Sequence, residues 1–447
     1  NRSRDYSPRN TASPLYGLIK PSRPVLITRG IGELIVSDTL LASDTLFLSG
    51  DEYVIFHGHT DDSPINPDPD TKRVTLSLVD SLADFRGFNI NTPVYQGIRT
   101  GQAIGYILDA CGWTGGRDLD AGGTVIPWWW VDNKDAFTAM EELLRSEGPP
   151  ALLTIGTDGA IVFKDRHHRL LDAPSLTSQS TWRATGTVEP VMQRPFSYDE
   201  AWSNIINTGT IDVEVRTAQE LTPVWTLESP ISLTPGETRT FTASASDPFI
   251  NAVPPSAGID FTLLSGSANI SLSRDSGAST VITVAATFLG ASLDRLEMRA
   301  QPLQTSYTVQ VTASDATSIA DYGPRSFPTD LPWCNPYDAQ TILNRAVEMR
   351  AQPLPIVEVR FVIANDTKAA LILARDLSDR VTIIEPETAL NDGFYVENFS
   401  HQATGDFDHE VRIGAELVPP DGSVTSGNVF ILGSSVSGHR LGSGVLA

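Results

Sequence analysis

The chain has 447 residues, 54 of them Asp or Glu and 32 Lys or Arg, for a formal net charge of -22. That balance repels nucleic-acid phosphates and anionic lipid, so a surface built to grip either is excluded, while a wall past which a polyanion slides without sticking is compatible. The length exceeds one ordinary hydrophobic core and implies about three or four domains.

The first eighty residues alternate apolar and polar positions between Gly, Pro and Asp punctuation, as in RPVLITRG, DTLFLSGDEYVIFHG and TKRVTLSLVDSL. This pattern predicts antiparallel strands. TGQAIGYILDACGW then changes period: Ala103, Ile104, Ile107, Leu108 and Cys111 form one apolar stripe, with Thr100 as the expected N-cap and Gly112 as the stop. A second helix is expected in DNKDAFTAMEELLRSEG, capped by Asp132 and facing inward with Ala136, Phe137, Met140, Leu143 and Leu144. The Asp158-Gly159 pair in LLTIGTDGAIVF marks a hairpin turn with positive φ angles.

Residues 225–312 contain no lysine and carry short strands such as TRTFTASAS and STVITVAAT, the signature of a small all-β domain. PYDAQTILNRAVEM restores helical spacing at Ala339, Ile342, Leu343, Ala346 and Val347. MRAQPL occurs at 298–303 and again at 349–354, and its flanks predict a strand at the first copy and a helix end at the second, so it is not read as a repeat.

A similarity of order is more informative. RPVLIT (Arg23–Thr28), VIFHGHTDD (Val54–Asp62) and KRVTLSL (Lys72–Leu78) have counterparts in DRVTII (Asp379–Ile384), FYVENFSHQ (Phe394–Gln402) and HEVRIGAEL (His409–Leu417). Two copies of one small antiparallel barrel leave such a trace. The barrel strands are expected at Val25, Ile27, Phe56, Val74 and Leu76 in the first set, and at Val381, Ile383, Val396, Val411 and Ile413 in the second. The fold class is therefore mainly β with an α/β insertion: two antiparallel β-barrels plus two inserted domains. The divisions are a first barrel at 1–83, an α/β insertion at 84–200, a returning strand or linker at 201–224, an all-β domain at 225–312, a linker and helix at 313–355, and a second barrel with C-terminal tail at 356–447. Because the chain begins with Asn1 rather than Met, the first barrel is expected to lack part of its start.

FHGHTDD places His57, His59 and Asp61 at alternate positions, the spacing with which some binuclear zinc hydrolases open their metal site. Such sites want a further His after the Asp, where Asp62 stands, and the remaining histidines form no second cluster, so the three residues are read as a decoy and no metal or other cofactor is expected. NPDPDT (Asn66–Thr71) imitates the start of a calcium loop, yet lacks the glycine at its sharp turn and has Ser77 where a bidentate Glu belongs. No nucleophile elbow or phosphate-cradling loop is present, and Cys111 on a core face is read as inert. Two cysteines, Cys111 and Cys334, do not make a disulfide framework. No apolar run approaches the ~20 residues that span a bilayer, and residues 1–13 lack the apolar core of a signal peptide. The triplet Trp128-Trp129-Trp130 suits either a sugar-stacking platform or a packing staple, and the sequence leaves both open.

RDYSPRNTASPLYGLIKPSRPVLI, RVTLSLVDSLADFRG, TGQAIGYILDACGW and EGPPALLTIGTDGAIVFKDR, followed later by SIADYGPRSF, LSDRVTI, FYVENFSH and VFILGSS, together resemble the tail-tip or baseplate hub proteins of long-tailed bacteriophages. The resemblance implies a non-enzymatic structural protein of the virion, a minor tail protein with two tail-tube-like barrels per chain. It implies a homotrimer whose six barrels continue a sixfold tube while offering threefold symmetry to the tip. Its implied partners are the tail tube or distal tail protein, the tape-measure protein and tip or fibre proteins, with genome DNA passing through unbound after assembly in the host cytoplasm. Competing classes are a secreted carbohydrate-binding β-protein and a metal-dependent hydrolase.

Overall fold

The computed structural model describes residues 9–14, 16–18, 20–34, 48–62, 66–68, 70–71, 73–187, 189–274, 276–328, 330–363, 367–403 and 409–419. VFILGSS and the C-terminal tail lie outside the described residues.

The architecture is mainly β with an α/β insertion. At the start, Pro24–Leu34 pairs antiparallel with Leu48–Thr60, which pairs in turn with the short strand Leu78–Val79. A bulge at Ile27/Thr28 lets Leu26 and Ile27 both stand exposed. The expected third strand, Lys72–Leu78, is divided. Arg73–Thr75 turns back on Asn66–Asp68, and Leu78–Val79 returns to the sheet. Asp68 drives that split: it accepts hydrogen bonds from the N–H groups of Asp70 and Thr71 and from the Thr71 hydroxyl, closing a tight turn.

The α/β unit follows. Helix Thr100–Ala110 buries Ala103, Ile104, Ile107 and Leu108, and helix Ala136–Glu147 buries Ala136, Ala139, Met140 and Leu143 against them. Both N-termini differ from expectation. Thr100 is the first helical residue, with the Gln102 side chain capping the Arg99 N–H, and Asp135 rather than Asp132 caps the second helix. The shift has a cause: Lys134 and Asp135 first pair with Asn89 and Ile90, so the helix cannot begin until that short ladder ends. Leu152–Ile155 and Ile161–Lys164 form the expected hairpin, but only Gly159 has positive φ (+81°), while the Asp158 carboxylate accepts from the Ala160 N–H.

Between residues 208 and 314 lies a stalked β-sandwich. Thr208–Ala218 and the 19-residue strand Leu296–Ser314 form the stalk, paired from Thr208↔Ser314 to Ala218↔Leu303. Beyond it, the first residues of the long strand pair with Thr222–Leu227 and Phe249–Val253, and a second sheet gathers three strands around Ser279–Leu293. The sandwich core comprises Phe249, Phe261, Ile282, Val284, Leu293, Leu296, Met298 and Ala300. The all-β unit thus begins at 208 rather than at the expected 225, because the strand Thr208–Ala218, expected to return to the barrel region or serve as a linker, pairs instead with Leu296–Ser314. Helix Pro336–Arg350 seals the foot of the stalk, burying Ala339, Ile342 and Leu343 against Ile211, Val213 and Val311.

The last unit is a six-stranded sheet with the order Thr181–Arg183, Arg380–Glu385, Leu390–Ala403, His409–Leu417, Ile356–Val362, Gln193–Asp199. Its two outer strands come from the segment expected to belong to the α/β insertion, so the C-terminal unit is built from two stretches of chain separated by the sandwich. Thr181–Arg183 pairs parallel and the rest antiparallel. Among the described residues neither this sheet nor the first closes on itself by a ladder from first strand to last.

Candidate docking strand and the paired sheets

The two strand sets share an order. Each is an antiparallel meander in which the middle strand pairs with both others: Pro24–Leu34, Leu48–Thr60, Leu78–Val79 in one, and Arg380–Glu385, Leu390–Ala403, His409–Leu417 in the other. Their burial differs. Val381, Ile383, Val396, Val411 and Ile413 are all fully buried around Trp182, Phe361 and Phe394. Val25, Phe56 and Val74 are half-buried, Ile27 and Leu76 are exposed, and Leu76 lies just beyond its strand. Among the described residues the first sheet therefore presents apolar surface that stays exposed, including Leu26 on its edge strand.

A cleft of about 780 Å³ separates the sheets, with Phe56 and His57 on one wall and Phe399 and His401 on the other. From the cleft wall His401 reaches the buried His409 on the neighbouring strand, Nδ1 to Nε2 at 3.1 Å. Burial, then the neighbouring His409, pushes the His401 imidazole down to about 4. Burial, then the Arg29 guanidinium of the first sheet, lowers His409.

The histidines of FHGHTDD point along one face, as alternation requires, but to protein partners. His59 Nε2 lies 2.7 Å from Asp84 Oδ1, at the start of the α/β unit. His57 lies over Gly159 of the hairpin turn, so closely that a Cβ there would come within 2.2 Å of its Cε1. The Asp61 N–H donates to Ser77 O, and its carboxylate accepts from the Asp62 N–H. No group of three or more metal-ligating side chains converges among the described residues. The strand is a plug that seats the first sheet on the α/β unit.

The tryptophan triplet alternates as a strand does. Trp129 is fully buried and stacks on Tyr95 at 5.8 Å between ring centroids. Trp128 Nε1 donates to the Arg216 carbonyl in the stalk. Trp130 meets Trp333 edge-on, carries the Arg216 guanidinium over its ring at 5.3 Å and packs against Gly277 of the sandwich. These contacts fasten the α/β unit to the sandwich. Cys111 is half-buried, and desolvation pushes its thiol up to about 11, away from the reactive thiolate.

Two polar centres escaped sequence reading because their partners are distant in the chain. Glu147, fully buried, accepts from Thr100 Oγ1 (2.5 Å) and from the N–H groups of Gly123 (2.7 Å), Thr124 (3.1 Å) and Arg166 (3.3 Å). His168 reaches Ser378 in the turn that leads into strand Arg380–Glu385, and beside it Arg169 pairs with Glu397 at 2.7 Å and covers the Tyr395 ring at 4.5 Å. A His-Arg pair directly after a hairpin was the available signal, and alone it does not name its partner.

Several solved structures are similar to the chain, and they are phage tail proteins. The 43 kDa tail protein of prophage MuSo2 from Shewanella oneidensis is 12% identical over 89% of this chain and 89% of that one, with a TM-score of 0.42. The tail protein from Neisseria meningitidis MC58 is 9% identical over 81% and 80%, with a TM-score of 0.44. Prophage tail protein gp18 from Listeria monocytogenes EGD-e is 9% identical over 88% and 87%, with a TM-score of 0.37. No protein-family model and no curated protein matches the sequence.

Proposed function

We propose that the chain is a structural hub of a phage tail tip or baseplate, not an enzyme. Three copies form one ring in which the paired sheets alternate, so that six barrel-like units continue a sixfold tube and the threefold repeat receives the tip. The tube or distal tail protein and the tape-measure protein stand on one side of this ring and tip or fibre proteins on the other, and DNA passes through the virion channel unbound. The observation that carries the reading is the shared meander order of the two strand sets within one chain. The uncovered apolar edge at Leu26 and Ile27 supports it, since an edge of this kind is stable where another chain covers it. The net charge of -22 supports release of a polyanion from the lumen.

Reconstruction of the assembled particle tests the reading. Three copies per ring are expected, with a lumen lined mainly by Asp, Glu, Ser and Thr, and reversal of lumen carboxylates to Lys slows DNA ejection in a salt-sensitive way. Six copies in the ring, or a lumen lined by Arg, contradicts it.

A further inference from the structure

A hollow of about 380 Å³, at the lower end of the range that takes small ligands, lies between the α/β unit and the stalk. Strand alternation decides what its walls carry. On Thr208–Ala218, Ile211 and Val213 are buried against helix Pro336–Arg350, so Asp212 and Glu214 stand on the exposed face, with Arg216 beyond them. Around the fully buried Trp129, Trp128 and Trp130 turn to the opposite side. Trp333, in the loop before helix Pro336–Arg350, completes a wall of three half-buried indoles.

The charged groups of the wall are held by their neighbours. Glu142 accepts from Lys134 Nζ at 2.8 Å and from Trp333 Nε1 at 3.3 Å, and Glu214 accepts from Arg216 at 2.8 Å and from Thr305 Oγ1 at 3.2 Å. Asp212 accepts from the Gln310 amide at 3.0 Å and has no ion pair among the described residues. Such a wall disfavours a charged guest of either sign. Lys134 and Arg216 repel a cation, the carboxylates repel an anion, and Arg216 already holds the cation's place over the Trp130 ring. A neutral polyol suits it better: each hydroxyl both donates and accepts, and charged partners give it the stronger hydrogen bonds. The C–H face of a sugar ring then lies on an indole face, whose electron density is negative.

We propose that the hollow between the α/β unit and the stalk binds a neutral saccharide, its ring against the tryptophans and its hydroxyls on Asp212, Glu214 and Arg216. The triplet keeps its packing role: the contacts that fasten the two units also hold the walls of the site in place. The site is independent of the proposed ring and of its copy number.

The test titrates the full chain with four disaccharides, cellobiose, maltose, lactose and N,N′-diacetylchitobiose, by calorimetry and by tryptophan fluorescence. Saturable one-to-one binding of at least one of them is expected, unchanged within about twofold at ~0.5 M salt because the guest is neutral. Asp212→Ala weakens it about tenfold through the lost charge-assisted hydrogen bond. Trp333→Leu weakens it by about as much through the lost ring contact. Trp333 also packs on the α/β core, so Asp212→Ala, made at an exposed side chain, is read first, and both variants are checked for native circular dichroism. Trp202→Leu, at an exposed tryptophan outside the hollow, leaves binding unchanged. Absence of saturable binding by all four sugars, indifference to both Asp212→Ala and Trp333→Leu, an equal loss in Trp202→Leu, or a loss of about tenfold at ~0.5 M salt overturns the proposal. Choline binding more tightly than every sugar assigns the hollow to a cation and overturns it as well.

Discussion

Ser378 Oγ donates to His168 Nε2 across 2.8 Å, tying the loop after the α/β hairpin to the turn that leads into strand Arg380–Glu385. His168 Nδ1 lies 2.6 Å from the Asp165 carbonyl oxygen, which only accepts, so Nδ1 carries the proton and Nε2 is the acceptor. Arg169 Nε also donates to Ser378 Oγ, Ser175 Oγ donates to the Ser378 carbonyl, and the serine is held at φ +65°. A buried serine in this conformation persists only because its surroundings over-determine it.

Ser378→Ala leaves His168 Nε2 buried without a donor. The expected loss is about 1–3 kcal/mol, because the imidazole pays its desolvation with nothing in return. Urea unfolding followed by tryptophan fluorescence measures it, and an unchanged midpoint refutes the staple.

Acid destabilises the fold through its histidines. His167, His168, His401 and His409 are all lowered from the ordinary value of 6.5, with burial the leading cause. Each is kept neutral in the folded state, so below 6.5 the unfolded chain binds more protons and stability falls as pH drops, until the folded groups titrate, at about 4 for His401. Asp379 and Glu397 are raised by burial and act in the opposite sense at the acid end. The melting temperature is expected to stay level above about pH 7 and to fall between roughly pH 6.5 and 5. A His401→Gln variant should show a shallower fall.

Gly159→Ala tests the plug. The new methyl meets both an unfavourable φ of +81° and the His57 ring, so a loss of about 2–4 kcal/mol is expected from backbone strain plus overpacking. His57→Ala in the same chain removes the clash and not the strain. A double-mutant cycle that finds the two changes additive shows that His57 does not seat there.

Glu147→Gln disrupts the buried carboxylate cradle. An amide presents two donors where four donors already converge, and Arg166, 3.7 Å from the carboxylate, loses one of its two counter-charges, keeping Asp338 at 3.6 Å. A cost of about 2–4 kcal/mol is expected, read from thermal melts, and Thr100→Val in the same background should add little.

Zinc added to chelator-treated protein is expected to leave its melting temperature unchanged, because His57 and His59 are engaged by Gly159 and Asp84. Stoichiometric metal by elemental analysis, lost in His59→Ala, contradicts this.

The helices were legible because their signal is local. The 3.6-residue stripe named Ala103, Ile104, Ile107 and Leu108, and equally Ala339, Ile342 and Leu343, and all are buried. Their caps were less legible, since the ladder of Lys134 and Asp135 with Asn89 and Ile90 is fixed by a strand more than forty residues away. Thr181–Arg183 and Gln193–Asp199 alternate like any strand, and nothing in their letters says that they join a sheet whose other strands begin at Ile356. Trp130 shows the same limit: its aromatic character is local, but Trp333, Arg216 and Gly277, which occupy it, come from three remote segments.

The chain enters and leaves the sandwich at one antiparallel pair, Ala218 opposite Leu303, and the α/β unit touches it again where Trp130 packs on Gly277. Residues 219–302 therefore depart and return at neighbouring points, so a two-residue turn of Asn-Gly in their place closes the stalk as an ordinary hairpin. Helix Pro336–Arg350 packs on the foot of that stalk, against Ile211, Val213 and Val311, and keeps its footing when the head is gone. In genetic terms the head is a cassette: recombination can exchange or enlarge it wherever the new head still covers Trp130, which packs on Gly277, and deletion uncovers that ring. Lineages sharing this body are then free to carry different heads on the same two strands.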